Sequence, residues 1–113
     1  MKSLLFLTLL LVLPLQADYP VVNPGDAFNG YIDSGICYAY SLDTTSGTTY
    51  RVSVNGADGS LTVKIKENNR TIVSDSGTSI ILSFRASSAS YELWIYNYSG
   101  YRIEYDTYFV KER

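Results

Sequence analysis

Apolar side chains recur at every second position along almost the whole chain beyond residue 17. In residues 60–66, for example, Leu61, Val63 and Ile65 alternate with polar or charged side chains. Successive side chains of a β-strand point to opposite faces, so this period predicts strands with one buried and one solvated face. No stretch keeps the 3.6-residue period over the roughly ten residues that a helix requires. The pattern therefore predicts an all-β domain.

Turn signals divide this pattern into seven or eight short strands. The predicted strands cover residues 27–33, 36–42, 48–54, 60–66, 71–74, 79–85, 90–97 and 101–110. Residues 55–59 carry an Asn-Gly and an Asp-Gly dipeptide, which favour positive φ and predict a tight turn between antiparallel strands. Without helices to cover a sheet, two sheets must bury their apolar faces against each other. The predicted fold is a two-sheet antiparallel β-sandwich of the jelly-roll or immunoglobulin-like kind.

Residues 79–85 form the most aggregation-prone window of the chain. Ile80, Leu82 and Phe84 are predicted to face inward, while Ile81 lies on the other face. We expect this strand in the interior of a sheet, with Arg85 as a charged gatekeeper at its end.

The first 17 residues have the three parts of a secretory signal peptide. A basic Lys2 precedes an apolar run at residues 4–15, and the small Ala17 closes the segment. The run is shorter than the roughly 20 apolar residues that span a bilayer, so we expect cleavage and no membrane span afterwards. Residues 18–113 then form one domain, and its predicted location is secreted, periplasmic or at the cell surface.

Charge and residue types exclude several functions. The net charge is −2, and the basic residues are scattered singly, which disfavours nucleic acid as a partner. The chain contains no histidine and no glycine-rich phosphate loop, so the usual nucleophilic triads and nucleotide sites are missing. The sequence therefore predicts a protein that is not an enzyme and carries no cofactor.

The order of strands and turns resembles the bacterial pre-peptidase C-terminal (PPC) domain family. A Gly-Tyr-Ile segment and a turn at residues 30–35 precede the aromatic-rich strand Tyr-Ala-Tyr-Ser-Leu at residues 38–42. The further matching segments are residues 47–54, 61–65, 91–95 and 103–105. The resemblance implies a small β-sandwich module of the type usually appended to secreted peptidases and collagenases, and calcium binding occurs in some members.

Aromatic residues provide the strongest functional signal. If residues 91, 93 and 95 face the core, Trp94 and Tyr96 must face outward, and Tyr98 and Tyr108 can extend the patch. Aromatic faces on a rigid sheet stack on sugar rings or on extended polypeptides, and Tyr and Trp are favoured at interfaces. The alternative is that these rings only stiffen the sheet through cross-strand pairs. The predicted function is a non-catalytic binding module for an extracellular polysaccharide or protein.

Two further features suggest other roles. Asp26, Asp33 and Asp43 fall in predicted turns and are candidate calcium ligands, although Asp also favours turns for its own backbone hydrogen bonds. The single cysteine, Cys37, cannot form an internal disulfide and is a candidate for an intermolecular one. The alternative function is therefore a structural or assembly subunit that forms oligomers through sheet edges or Cys37.

Overall fold

The computed structural model describes residues 19–112, and all regular structure in this range is β-strand. The predicted signal peptide at residues 1–17 lies outside the described residues. Nine strands are present: β1 (Val21–Val22), β2 (Ala27–Ile32), β3 (Cys37–Leu42), β4 (Thr49–Gly56), β5 (Leu61–Glu67), β6 (Arg70–Gly77), β7 (Ser79–Arg85), β8 (Tyr91–Tyr96) and β9 (Ile103–Lys111). In this part of the chain no helix is long and apolar enough to cross a membrane.

The strands form two sheets that are packed face to face. The five-stranded sheet has the order β1-β3-β8-β5-β6, and the four-stranded sheet has the order β2-β9-β4-β7. Strands β2 to β9 follow the jelly-roll arrangement, in which the chain passes repeatedly from one sheet to the other. Among the described strands, only β5 and β6 follow each other within one sheet. The predicted β-sandwich is confirmed.

Alternation along the strands correctly predicts the core. Leu61, Val63 and Ile65 of β5 are at most 1% exposed. The inward residues of β4, β7, β8 and β9 are buried with them, and together they fill the space between the sheets. At the centre, the rings of Tyr50 and Phe109 stack with centroids 5.2 Å apart. Burial of each large apolar side chain stabilises the fold by about 1.5–3 kcal/mol.

The tight turn predicted at residues 55–59 is wrong. Asn55 and Gly56 are the last residues of β4, and the segment leads to β5 in the other sheet. Neither Gly56 nor Gly59 has a positive φ. Glycine is required at position 56 because the backbone of Gly59 approaches it closely, and a Cβ there would overlap the Gly59 carbonyl oxygen. The hairpin turn lies at Asn68 and Asn69, both of which have positive φ (52° and 67°).

Strand β7 lies at the edge of its sheet and not in the interior as predicted. Its bounds match the prediction, and Ile81 is 61% exposed on the outer face. Strand β6, at the edge of the other sheet, runs through residues 70–77 and is longer than predicted. The two-residue strand β1, which raises the number of strands to nine, is too short to give a periodic signal. Tyr38 of β3 lies on the same face of its strand as buried Leu42 but is 38% exposed.

Candidate binding face

The outer face of the five-stranded sheet carries the aromatic residues predicted to bind a ligand. In β8 the odd-numbered residues 91, 93 and 95 are at most 3% exposed, so the even-numbered residues point away from the core. Strand β8 lies between β3 and β5, which makes it the central strand of this sheet. Its outward side chains are therefore held on a backbone that is hydrogen-bonded on both sides.

Trp94, Tyr96 and Tyr98 form a row of nearly parallel rings, which we call the aromatic ladder. The ring centroids of Trp94 and Tyr96 are 6.1 Å apart with an interplanar angle of 21°. Those of Tyr96 and Tyr98 are 5.6 Å apart with an angle of 18°. Offset parallel rings at this separation attract each other by about 0.5–1.5 kcal/mol beyond their buried area. Trp94 and Tyr96 are half-buried, whereas Tyr98 is 69% exposed.

Small residues of β3 lie beside the aromatic ladder. Ala39 is paired in register with Trp94, and Cys37 is paired with Tyr96. The Tyr19 ring contacts the Trp94 ring edge-on, with centroids 5.9 Å apart. Burial raises the pKa of the Tyr96 and Tyr19 hydroxyls, and nearby Glu92 raises that of Tyr19 further. Both rings therefore remain neutral phenols at physiological pH.

Two lysines of β5 lie over the rings of the aromatic ladder. Lys66 Nζ is 4.2 Å from the Trp94 ring centroid, and Lys64 Nζ is 5.0 Å from that of Tyr96. Such cation–π contacts stabilise by about 0.5–1 kcal/mol at exposed sites and by more when desolvated. The Trp94 indole Nε1–H donates to Glu92 Oε1 at 2.9 Å. The face therefore combines aromatic surface with two ammonium groups and one carboxylate.

Buried Asn97 fixes the exposed end of the aromatic ladder. Its side-chain Nδ2 donates to the carbonyl oxygens of Ile32 (2.8 Å) and Tyr101 (2.7 Å), and its Oδ1 accepts from the Ser99 backbone N–H (2.9 Å). These bonds hold the chain between β8 and β9, and thus Tyr98, against the end of β2. The sequence pattern does not reveal this structural role of Asn97, because a polar residue at a strand end is usually solvated.

Tyr108 lies away from the aromatic ladder. It belongs to β9 in the four-stranded sheet, where it is paired with Ala27 on one side and Ser53 on the other. Its ring is 45% exposed on the opposite outer face of the sandwich. Of the four predicted aromatic residues, the structure therefore brings together Trp94, Tyr96 and Tyr98 but not Tyr108.

The three candidate calcium ligands lie apart from one another. Asp26 and Asp33 flank β2 at opposite ends, and Asp43 follows β3 in the other sheet. The Asp33 carboxylate is bound to Arg102 Nε at 2.9 Å, while Asp26 accepts the backbone N–H of Asn23 at 2.8 Å. Within residues 19–112 no group of three or more metal-binding side chains comes together.

The thiol of Cys37 is free and exposed at the start of β3. It shares the outer face with Tyr96, its partner in register. An intermolecular disulfide formed by Cys37 would therefore lie at the border of the aromatic ladder.

Solved structures of other proteins share this fold. No model of a protein family and no curated protein matches the chain. The pre-peptidase C-terminal domain of a collagenase from Bacillus anthracis superposes with a TM-score of 0.71 at 16% identity, covering 81% of this chain and 94% of that one. PliG from Aeromonas hydrophila, a periplasmic inhibitor of g-type lysozyme, superposes with a TM-score of 0.67 at 11% identity, covering 83% and 97%. These likenesses confirm the predicted PPC-like β-sandwich fold.

Proposed function

We propose that this chain is a non-catalytic exported binding module that docks an acidic surface of a protein partner onto its aromatic ladder. The observation that carries the proposal is the ladder itself. Two of its three nearly parallel rings are on the central strand β8, the third follows that strand directly, and the ammonium groups of Lys64 and Lys66 lie over the first two. Trp and Tyr on a rigid support are the residues that contribute most to protein interfaces.

Binding is a better explanation of this face than catalysis. The aromatic ladder and its surroundings supply rings, ammonium groups and the Glu92 carboxylate, which already accepts the Trp94 indole N–H. The chain has no histidine to act as a base at neutral pH. A pre-peptidase C-terminal domain of a collagenase and a lysozyme inhibitor share the fold.

The lysines favour a protein over a stacked sugar as the partner of this face. A sugar that stacks on Trp94 needs an open ring face, whereas Lys66 lies over that ring. A partner carboxylate can instead pair with Lys66 or Lys64 while its apolar side chains contact the rings and the exposed Tyr98. The name of PliG, a lysozyme inhibitor, supports the view that this fold serves protein recognition. The predicted signal peptide at residues 1–17 supports a periplasmic or extracellular site of action.

The proposal is tested by capturing partners from envelope and culture-supernatant fractions on the immobilised protein. Trp94→Ala and Tyr98→Ala remove the two ends of the aromatic ladder, and Tyr31→Ala is the control because Tyr31 is a 55% exposed tyrosine of the other sheet. We expect the wild type and the control to retain a protein that both ladder variants lose. Retention should weaken with salt, because exposed lysine–carboxylate pairs are screened.

Two results would reject the proposal. If all variants retain the same proteins, the aromatic ladder is not the docking face. If an insoluble polysaccharide, and no protein, is retained by the wild type and lost with Trp94→Ala, the ladder binds a polymer instead. Circular dichroism of each variant checks that the sandwich remains folded.

Assembly through Cys37 or a sheet edge is the second candidate. It is favoured by the exposed free thiol of Cys37 and by Ile81, 61% exposed on edge strand β7. A reducible dimer on non-reducing gels that disappears in Cys37→Ser would support it. A monomer at all concentrations, with and without reductant, would reject it.

A further inference from the structure

A second depression lies on the side of the sandwich opposite the aromatic ladder. It has a volume of about 320 Å³ and is formed on the outer face of the four-stranded sheet by β2, β9 and β4. The outward-facing residues that line it are Ala27, Asn29, Ser53, Asn55, Asp106 and Tyr108, and the inward-facing Phe28 and Thr107 border it from below. Of these residues, only Tyr108 was a predicted ligand contact.

Three polar side chains cross the depression in a single row. Asp106 of β9 is paired in register with Asn29 of β2 and with Asn55 of β4. Directly paired residues of neighbouring strands have Cβ atoms about 5 Å apart and share one face. The row thus places one carboxylate between two carboxamides, all three exposed to solvent.

None of these three side chains has a hydrogen-bond partner within residues 19–112, although each adjoins another group able to bond. A carboxylate only accepts hydrogen bonds, whereas each carboxamide both donates and accepts. The row therefore presents solvent-exposed acceptors and donors, free of protein partners, on strands that are paired in one sheet.

An aromatic ring borders the row. Tyr108 lies two residues beyond Asp106 on β9, and its partners in register are the small residues Ala27 and Ser53. Small neighbours leave its ring 45% exposed. The other exposed tyrosine of this face, Tyr31, has the Arg102 guanidinium over its ring at 5.2 Å, so Tyr108 is the open platform.

Charge restricts the ligand. No lysine or arginine lines the depression, and its one charged group is the Asp106 carboxylate. Arg51, on the same face, forms an ion pair with Glu112 at 3.7 Å. An anionic ligand would be repelled here, whereas the hydroxyl groups of a neutral ligand can donate to Asp106 and bond to both asparagines.

We propose that the Asn29–Asp106–Asn55 row and Tyr108 form a binding site for a neutral glycan. A pyranose ring presents both required surfaces: hydroxyl groups at its edge and an apolar C–H face that packs on an aromatic ring. Another depression, about 550 Å³ beside Asn68, offers no such platform, because its aromatic residue is the 3% exposed Tyr91. The site is separate from the aromatic ladder, which lies on the other sheet.

Native affinity electrophoresis tests the site, using exported protein produced from the full chain. The probes are four soluble neutral polysaccharides: dextran, laminarin, galactomannan and hydroxyethyl cellulose. We expect at least one to retard the wild type. Asp106→Asn and Tyr108→Ala should weaken that binding at least about tenfold, since each removes a principal contact. Asp43→Asn, a matched change at another exposed aspartate, and Trp94→Ala should leave it unchanged.

The outcomes separate this site from the aromatic ladder. Absence of retardation by all four polysaccharides overturns the proposal, and so does retardation that Asp106→Asn leaves unchanged. Binding lost with Trp94→Ala but kept in Asp106→Asn also overturns it and assigns the glycan to the ladder. Thermal stabilisation by Ca²⁺ that requires Asp106, without retardation, would show a cation site and overturn it too.

Discussion

Replacing Thr107 with valine should make the protein more stable. Thr107 is 2% exposed on the inward face of β9, and its hydroxyl oxygen has no hydrogen-bond partner among the described residues. Its neighbours in register are Phe28 of β2 and Val54 of β4. A buried hydroxyl without a partner costs about 1–3 kcal/mol of desolvation. Valine has nearly the same shape and removes that cost.

We expect Thr107→Val to raise the free energy of unfolding by about 1–2 kcal/mol. With a urea m-value of about 2 kcal/mol/M, the midpoint should rise by about 0.5–1 M. The melting temperature should rise by about 4–8 °C for each kcal/mol in a domain of this size. Urea titration followed by circular dichroism measures the free energy of unfolding and the midpoint. Trp94 fluorescence gives an independent probe of the same transition.

Two control variants separate the hydroxyl from the methyl group. Thr107→Ser keeps the hydroxyl and loses a methyl, and Thr107→Ala loses both, so both should destabilise by leaving space in the core. A Thr107→Val protein less stable than the wild type would refute the reasoning. It would mean that the hydroxyl is satisfied in solution, for example by a buried water.

Three further changes test other parts of the structure. Asn97→Ala should lower the free energy of unfolding by about 3 kcal/mol, because it removes three hydrogen bonds and leaves the buried Ile32 carbonyl without a donor. An unchanged urea midpoint would contradict this. Hydrogen bonds from the hydroxyls of Ser88 and Ser87 hold the pKa of Glu67 below its ordinary value of 4.5. The Glu67 carboxylate therefore stabilises the fold above pH 4.5, and this stabilisation is lost as the pH falls through the folded-state pKa. Glu67→Gln should therefore flatten the acid side of the stability profile measured by urea titration from pH 6 to 3. Gly56→Ala should destabilise by more than about 2 kcal/mol in the same assay, because the new Cβ overlaps the Gly59 backbone. Gly30→Ala should cost less, because its Cβ meets only the end of the Tyr105 side chain at 3.3 Å.

Alternation predicted which side of β5, β7 and β8 is buried, because that property is local. The strand at residues 79–85 has the predicted bounds, and its inward residues Ile80, Leu82 and Phe84 are at most 7% exposed. Its position at a sheet edge could not be read in the same way. Edge or centre depends on which distant strand pairs with it, and a period of two carries no information about partners.

The same limit explains the outcome for the candidate site. Trp94 and Tyr96 share a strand, so period two placed them on one face correctly, and Tyr98 follows directly. The prediction included Tyr108 in the same patch only because Tyr108 also faces outward. Outward residues of two strands share a surface only if both strands belong to one sheet, and β8 and β9 do not.

The jelly-roll connection therefore gives this chain two chemically different outer faces. Passing from β8 to β9 moves the chain from the five-stranded to the four-stranded sheet, and buried Asn97 fixes the point of crossing. The outward residues of β8 carry the aromatic ladder, with two lysines over its rings. The outward residues of β9 include Asp106 and Tyr108, and no lysine or arginine lines the depression beside them. The core lies between the sheets and separates the two proposed sites. If both sites bind ligands, a variant in one should therefore leave binding at the other intact.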